Sequence, residues 1–292
     1  GCCAGDVKGS GVKCSESRSA PCNIDTDSVN PVVSADCSTK WDSAGSDVVL
    51  LMGQSNMDGR GMGYDAAIDG PNDSRIQQWS RGNTIITASE RLQHADFDSK
   101  PELNTRVGMG TAFGRAYVQN LPPQRNVLLV PTARGGSGLV DSLWSPGGNL
   151  FEDAVSRLEA ALDSNDAEGN CVAAILWHQG EKDAVASVDQ DAYESSWKYM
   201  MSELRSRIPA AAEAPVILGE FTAHQTNKYP DTYGPILAAI RAIPDAVPMT
   251  AVASSDGLES NPNDDLHFNA AAMREYGQRY FNKLVEAVDN ER

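Results

Sequence analysis

From residue 46 onward the chain repeats one pattern: a short apolar, β-branched run, then a longer stretch with apolar residues at helical spacing. The runs are Ser46–Met52, Asn126–Pro131, Cys171–Trp177, Pro215–Phe221 and Val247–Ala253. They are strand-sized and show little polar alternation, as expected of strands covered on both faces. Between them, Phe151, Val155, Leu158 and Leu162 form one stripe, and Tyr193, Trp197, Met200, Met201 and Leu204 another. Asp231–Ile243 and Asn269–Val288 continue the alternation, the latter with Met273, Tyr276, Tyr280, Leu284 and Val288 on one side. Strands alternating with helices predict an α/β fold, with a central parallel sheet of about five strands between two helical layers. Residues 54–107 are rich in Gly, Asp and Asn with little periodicity, and are expected to form loops over one end of the sheet. There is no internal repeat.

The first 45 residues are different. Cys2, Cys3, Cys14, Cys22 and Cys37 all fall there, leaving only Cys171 in the rest of the chain. Ser, Asp, Gly and Pro dominate the segment, so it has little to bury and disulfides are its expected source of order. The expected organisation is a Cys-rich N-terminal extension over 1–45, disulfide-stabilised or partly disordered, followed by one domain over 46–292. Cys171 is the candidate to tie the two together. Zinc spacing is absent, and no metal or other cofactor is expected. Bridged cysteines favour a secreted or periplasmic setting. No signal peptide is present, as in a mature or trimmed chain, while Gly1-Cys2 also fits the remnant of a lipoprotein processing site.

Charge narrows the partners. With 24 Lys+Arg against 40 Asp+Glu, the formal net charge is −16. Nucleic acid is excluded as an expected partner, because phosphate binding needs clustered cations. No apolar run reaches the ~18–20 residues of a membrane span.

In open α/β sheets ligands bind beyond the carboxyl ends of the strands, and polar blocks follow the runs there. Gly53-Gln54-Ser55-Asn56-Met57 ends the first run, placing a Ser hydroxyl at a strand-to-helix junction with its own N–H near a helix N-terminus. Ala133-Arg134-Gly135-Gly136-Ser137 follows the second, where glycines let backbone N–H groups approach a ligand. His178-Gln179-Gly180-Glu181 follows the third; Gln179 can donate an amide N–H to an oxyanion and Glu181 can accept from an imidazole. Asp264-Asp265-Leu266-His267 lies in the loop after the fifth, where Asp264 can fix the His267 tautomer and leave Nε2 to take a Ser proton. Each block alone also reads as a helix cap, a turn or strand-end capping. Together they supply what an activated serine needs: a nucleophile, a base, an orienting acid and oxyanion donors. Gly59-Arg60-Gly61-Met62-Gly63 lacks both dinucleotide and P-loop spacing and is expected to be lining only.

The GQSNM and HQGE strings and the final DxxH resemble the sialate O-acetylesterase-like branch of the SGNH hydrolases, which includes carbohydrate esterase family six, the acetylxylan esterases. The resemblance covers roughly residues 46–288. It implies a flavodoxin-like three-layer sandwich and deacetylation through an acyl-enzyme, with Ser55 as nucleophile and His267 as base. The Ser55 N–H, Gly136 in preference to Gly135, and the Gln179 side chain would form the oxyanion hole. For the orienting acid, Asp264 fits the DxxH rule and Glu181 of HQGE is the alternative.

Gln54, Asn56, Arg60, Arg134, Gly135, Trp144 and His178 are the candidate substrate-lining residues. Arg60 and Arg134 either hold a carboxylate of the substrate or form structural ion pairs. Trp144 either stacks on a sugar or packs, and His178 either lines the pocket or makes a structural hydrogen bond. The expected activity is removal of acetyl or short acyl groups from an alcohol, with a small acyl ester or acetylated carbohydrate as substrate. The alternatives are a broad arylesterase, lipase or thioesterase on the same fold, or a catalytically silent carbohydrate-binding relative. The acidic balance favours neutral acetylated sugars over strongly anionic ones, unless Arg60 or Arg134 makes the mouth locally positive.

Overall fold

The first apolar run forms β1 (Gly45–Gly53), every residue of which is buried. In this computed structural model, which describes residues 34–165 and 167–289, β1 lies at the centre of a seven-stranded sheet. The other strands are β2 (Ile76–Trp79), β3 (Ile85–Thr87), β4 (Arg125–Pro131), β5 (Cys171–His178), β6 (Val216–Gly219) and β7 (Thr250–Ala253), in the order β3-β2-β4-β1-β5-β6-β7. All neighbours run parallel except β3, which pairs antiparallel with β2 at one edge. A separate antiparallel pair, β8 (Ser260–Asn261) and β9 (Asp264–Phe268), follows β7. The helices are α1 (Ala35–Lys40), α2 (Ser55–Asp58), α3 (Ala66–Asp69), α4 (Gly110–Val118), α5 (Asn149–Leu162), α6 (Glu181–Val185), α7 (Gln190–Arg207), α8 (Ala223–Lys228), α9 (Pro230–Ala246) and α10 (Ala270–Asp289).

Side-chain alternation along β1 divides the core into two layers. Val49 and Leu51 pack with Phe113 and Tyr117 of α4 and Met273, Tyr276 and Tyr280 of α10. Val48, Leu50 and Met52 face the opposite way, into Phe151 and Leu158 of α5 and Tyr193, Trp197 and Met200 of α7. The apolar stripes read from the sequence are thus the buried faces of α5, α7 and α10. All five expected strands form. The two further ones come from the stretch expected to be loops: β2 and β3 have only four and three residues, too few for a periodicity to register.

Cys37 of α1 is disulfide-bonded to Cys171 at the start of β5, 134 residues away in sequence. The Ser34 hydroxyl donates to the Val172 carbonyl at 2.9 Å, and Lys40 Nζ to the Asn170 carbonyl at 2.8 Å. Beneath them a buried Arg125 donates to Asp47 Oδ1 at 2.6 Å and to the Lys40 and Ser43 carbonyls at 3.0 and 3.1 Å. The segment leading into β1 is therefore fastened to the sheet by a covalent link and by hydrogen bonds, among them those of the buried Arg125 that pairs with Asp47 inside the sheet. Cys2, Cys3, Cys14 and Cys22, and any bridges they form, lie outside the described residues. Closing the loop between Cys37 and Cys171 is worth about 5 kcal/mol in the chain-entropy account. The double variant Cys37→Ser/Cys171→Ser should therefore unfold at markedly lower denaturant concentration than the parent; an unchanged midpoint would refute that role.

Candidate active site

Ser55 follows the end of β1, where neighbouring strands diverge in sequence order: β4 on one side and β5 on the other. This is the topological switch point at which α/β sheets open a crevice. Gly53 makes the turn possible. It has φ of 134°, and a Cβ there would lie 2.1 Å from the His178 carbonyl oxygen, so only glycine lets β1 pass this close to β5. Ser55 begins α2 and is 5% exposed.

His267 Nε2 lies 2.9 Å from Ser55 Oγ, and His267 Nδ1 lies 2.8 Å from Asp264 Oδ2. The pair comes from β9 rather than from a loop; the β8–β9 register shifts between Ser260, opposite Phe268, and Asn261, opposite Asp264. The Leu266 N–H donates to Asp264 Oδ1 at 3.1 Å and holds the carboxylate in place. Burial would raise the Asp264 pKa, but the hydrogen bond and charge of His267, with the Leu266 N–H, hold the carboxyl below its ordinary 3.8. Burial pushes the His267 imidazole below its ordinary 6.5; Asp264 opposes this, while Arg60 and Arg106 add to it. The resting imidazole is consequently neutral at neutral pH; with Nδ1–H donating to the Asp264 carboxylate, the Nε2 lone pair faces Ser55 Oγ.

The loop after β4 is tied to this corner. Arg134 N–H donates to the Gly53 carbonyl at 3.0 Å, and the Ser137 hydroxyl to the Arg134 carbonyl at 2.8 Å. Gly136 is exposed, with φ of 73° and open space where a Cβ would be. Among the described residues neither the Ser55 N–H nor the Gly136 N–H has an acceptor.

A sialic acid-specific acetylesterase family model of the carbohydrate esterases matches residues 45–286. The chain belongs to that family. It is 29% identical over 177 residues to a probable carbohydrate esterase of Arabidopsis thaliana, covering 54% of this chain and 62% of that protein. It is 26% identical over 150 residues to a probable 9-O-acetyl-N-acetylneuraminic acid deacetylase of Escherichia coli, covering 44% of this chain and 45% of that one. The alignments thus span about half of the relatives' own lengths. The solved structure of NanS superposes with a TM-score of 0.70 at 19% identity, over 85% of this chain and 98% of that one, a likeness of fold.

In this carbohydrate-esterase relative several expected positions are placed otherwise. Gln179, expected as an oxyanion donor, is fully buried, and its Nε2 lies 3.1 Å from Gln54 Oε1, 3.1 Å from the Ser137 carbonyl and 2.5 Å from Asp183 Oδ2. An amide has two hydrogens for those three acceptors, so none is left for a ligand. Gln179 joins the loops after β1, β4 and β5. Gln54 also faces inward, its Oε1 accepting from the Lys182 N–H at 3.1 Å.

Trp144 is fully buried, donates to Ser137 Oγ at 2.9 Å and packs edge-on against Trp177; it has no face free for a sugar. His178 is likewise buried, with Nδ1 2.9 Å from the Tyr280 hydroxyl, and burial lowers its pKa to about 3. Arg60 is paired with Asp58 and lies 3.7 Å from Asp96, beside Gly135. Arg134 is exposed and makes no ion pair among the described residues.

Glu181 does not reach His267. Its Oε1 accepts from Asn56 Nδ2 at 2.8 Å, and burial pushes its pKa up to about 7. Sequence reasoning missed Asp183, which anchors the loop after β4 by accepting from the Leu139 and Val140 N–H groups at 2.9 Å each. It also missed Asn261, which accepts from the Met62 N–H at 2.8 Å and donates to the Arg60 carbonyl at 3.0 Å, fixing the hairpin to the loop beyond α2. Asp183 lies within two residues of Glu181, so proximity to HQGE was an available signal; Asn261 had none.

Proposed function

We propose that the chain is a serine esterase that removes acetyl or short acyl groups from a carbohydrate alcohol through an acyl-enzyme on Ser55. The observation that carries this reading is the hydrogen-bonded series Ser55 Oγ, His267 Nε2, His267 Nδ1 and Asp264 Oδ2, at 2.9 and 2.8 Å. A serine hydroxyl is almost wholly protonated at neutral pH and needs a base in this position to attack. His267 takes the proton as Oγ adds to the ester carbonyl, and Asp264 stabilises the resulting imidazolium. The oxyanion forms where the Ser55 and Gly136 N–H groups can donate to it. Collapse expels the sugar alkoxide, which takes the proton back from His267. Water then repeats the sequence on the acyl-enzyme and releases acetate. Gln179 supports the site by bracing its loops rather than by touching the oxyanion. The disulfide accords with a secreted or periplasmic enzyme, and no helix of the described residues is long and apolar enough to cross a membrane.

A chain-length series of aryl esters, run beside acetylated xylan and O-acetyl sialic acid, tests the assignment. The expected result is a maximum at acetyl with acetate released from a carbohydrate. A maximum at longer acyl chains would assign the chain to the lipolytic alternative instead. Between the two sugars, the net charge of −16 favours the neutral polymer; preference for the sialate would assign the exposed Arg134 to its carboxylate.

The same chemistry sets a pH dependence. Only neutral His267 can accept the Ser55 proton, so kcat/KM is lost as pH falls through the imidazole pKa. Burial lowers that pKa, which puts the midpoint of the acid limb below 6.5. A pH–rate profile with its acid midpoint above 6.5 would contradict the assignment.

A further inference from the structure

We infer that Asn56 is a positioning residue whose side chain, braced by Glu181, sets the separation between Ser55 and His267. The inference rests on the reading of Ser55 and His267 as nucleophile and base. Asn56 adjoins Ser55 in α2 and is fully buried. Its Nδ2 donates to Glu181 Oε1 at 2.8 Å and to the Leu266 carbonyl at 3.2 Å, and its Oδ1 accepts from the Phe268 N–H at 3.3 Å. Leu266 and Phe268 are the two neighbours of His267. One amide beside the nucleophile therefore grips the backbone on both sides of the base, across more than 200 residues of sequence.

The grip matters because β9 is not part of the seven-stranded sheet. Sheet hydrogen bonds place Ser55 at the end of β1 but do not place His267. The hairpin is held elsewhere by Asn261 on the Arg60 segment and by Thr222, whose hydroxyl donates to the Asp265 carbonyl at 2.6 Å. Apart from the Ser55–His267 contact itself, the hydrogen bonds joining α2 to β9 among the described residues are those of Asn56.

Glu181 gives the amide its direction. A side-chain amide can turn over and exchange its oxygen and nitrogen; an acceptor oxygen at Glu181 Oε1 keeps the nitrogen towards Glu181 and Leu266, and the oxygen towards Phe268. That task needs an oxygen and not a charge. Burial brings the carboxyl close to half-protonated at neutral pH in any case, so an amide is a close substitute.

The test compares Asn56→Ala, Glu181→Ala and Glu181→Gln in the full chain. Two quantities are read: kcat and KM on a chromogenic acetyl ester, and the rate at which a fluorophosphonate labels Ser55, followed by intact mass. Misplacing a nucleophile and base by a fraction of an ångström to 1 Å costs on the order of 10²-fold. Asn56→Ala and Glu181→Ala should each lose about that in kcat and in labelling rate, with KM within about threefold. Glu181→Gln should recover to within about threefold of the parent. The double variant Asn56→Ala/Glu181→Ala should be no worse than the poorer single one, because the two act as a unit. A folded Asn56→Ala with parental kcat and labelling rate overturns the inference, as does Glu181→Gln falling as far as Glu181→Ala. If Asn56→Ala does not fold, Asn56→Leu, which keeps the buried volume, carries the same test. A parent chain that neither turns over the ester nor is labelled overturns the esterase reading as well; a reactive parent with an indifferent Asn56 overturns this inference alone.

Discussion

Replacing Ser55 with Ala is expected to lower kcat on an acetyl ester by on the order of 10⁶, the scale at which removal of the nucleophile acts in serine hydrolases. The variant should fold as the parent does. The Ser55 hydroxyl has one side-chain partner, His267 Nε2 at 2.9 Å. Losing it removes one hydrogen bond to a largely buried imidazole, which is worth about 1 kcal/mol. The Ser55 N–H and the Gly136 N–H are untouched, so a residual acceleration over water, roughly 10³–10⁴-fold, should persist from binding and oxyanion stabilisation. Initial rates with the acetyl aryl ester, together with a thermal melt, check both halves. A folded Ser55→Ala retaining a few per cent of parental activity would mean that another group attacks the ester.

The second large effect separates the two candidate acids. Asp264→Asn should lose on the order of 10⁴ in kcat, since an amide at this position favours the wrong imidazole tautomer and cannot stabilise the imidazolium. Its carboxylate is 2.8 Å from Nδ1, whereas Glu181 contacts Asn56 and has no hydrogen bond to His267 among the described residues. Glu181→Gln should therefore stay within about threefold of the parent, in keeping with an acceptor role that an amide can fill. Parallel kcat measurements on the two amide variants decide the matter: a crippled Glu181→Gln beside a near-normal Asp264→Asn would reverse the assignment. KM should change little in Asp264→Asn, because the lost interaction strengthens only as charge develops on His267.

The legibility of this molecule follows how locally each feature is encoded. β1 could be read because its Val48–Met52 stretch is an unbroken apolar run, and α7 because Tyr193, Trp197, Met200, Met201 and Leu204 repeat at the helical period and are all buried. The short strands β2 and β3 could not, since runs of four and three residues carry no period of their own. The DxxH spacing announced a carboxylate able to reach Nδ1 within one short segment, and the structure puts that contact on β9. The role of Gln179 is not legible in the sequence, because a side-chain amide is equally suited to an oxyanion and to a loop brace. Only the positions of Gln54, Ser137 and Asp183 around it show that its hydrogens are spent.

The amino-acid sequence on its own determines the α/β class, the strands that position the site, and the chemical types gathered at their carboxyl ends. Those properties depend on periodicity and residue identity over a few neighbouring positions. Tertiary structure alone decides that Asp264 rather than Glu181 meets His267, that Trp144 and His178 are sealed in the core, and that Asn56, beside Ser55, bonds the backbone on both sides of His267. It also decides that Cys37, among the clustered cysteines, is the partner of Cys171. Each of these depends on how side chains from separate elements pack, to within a few ångströms. Such distances are set by the packing of two helical layers on one sheet, and by a hairpin that the sheet itself does not hold.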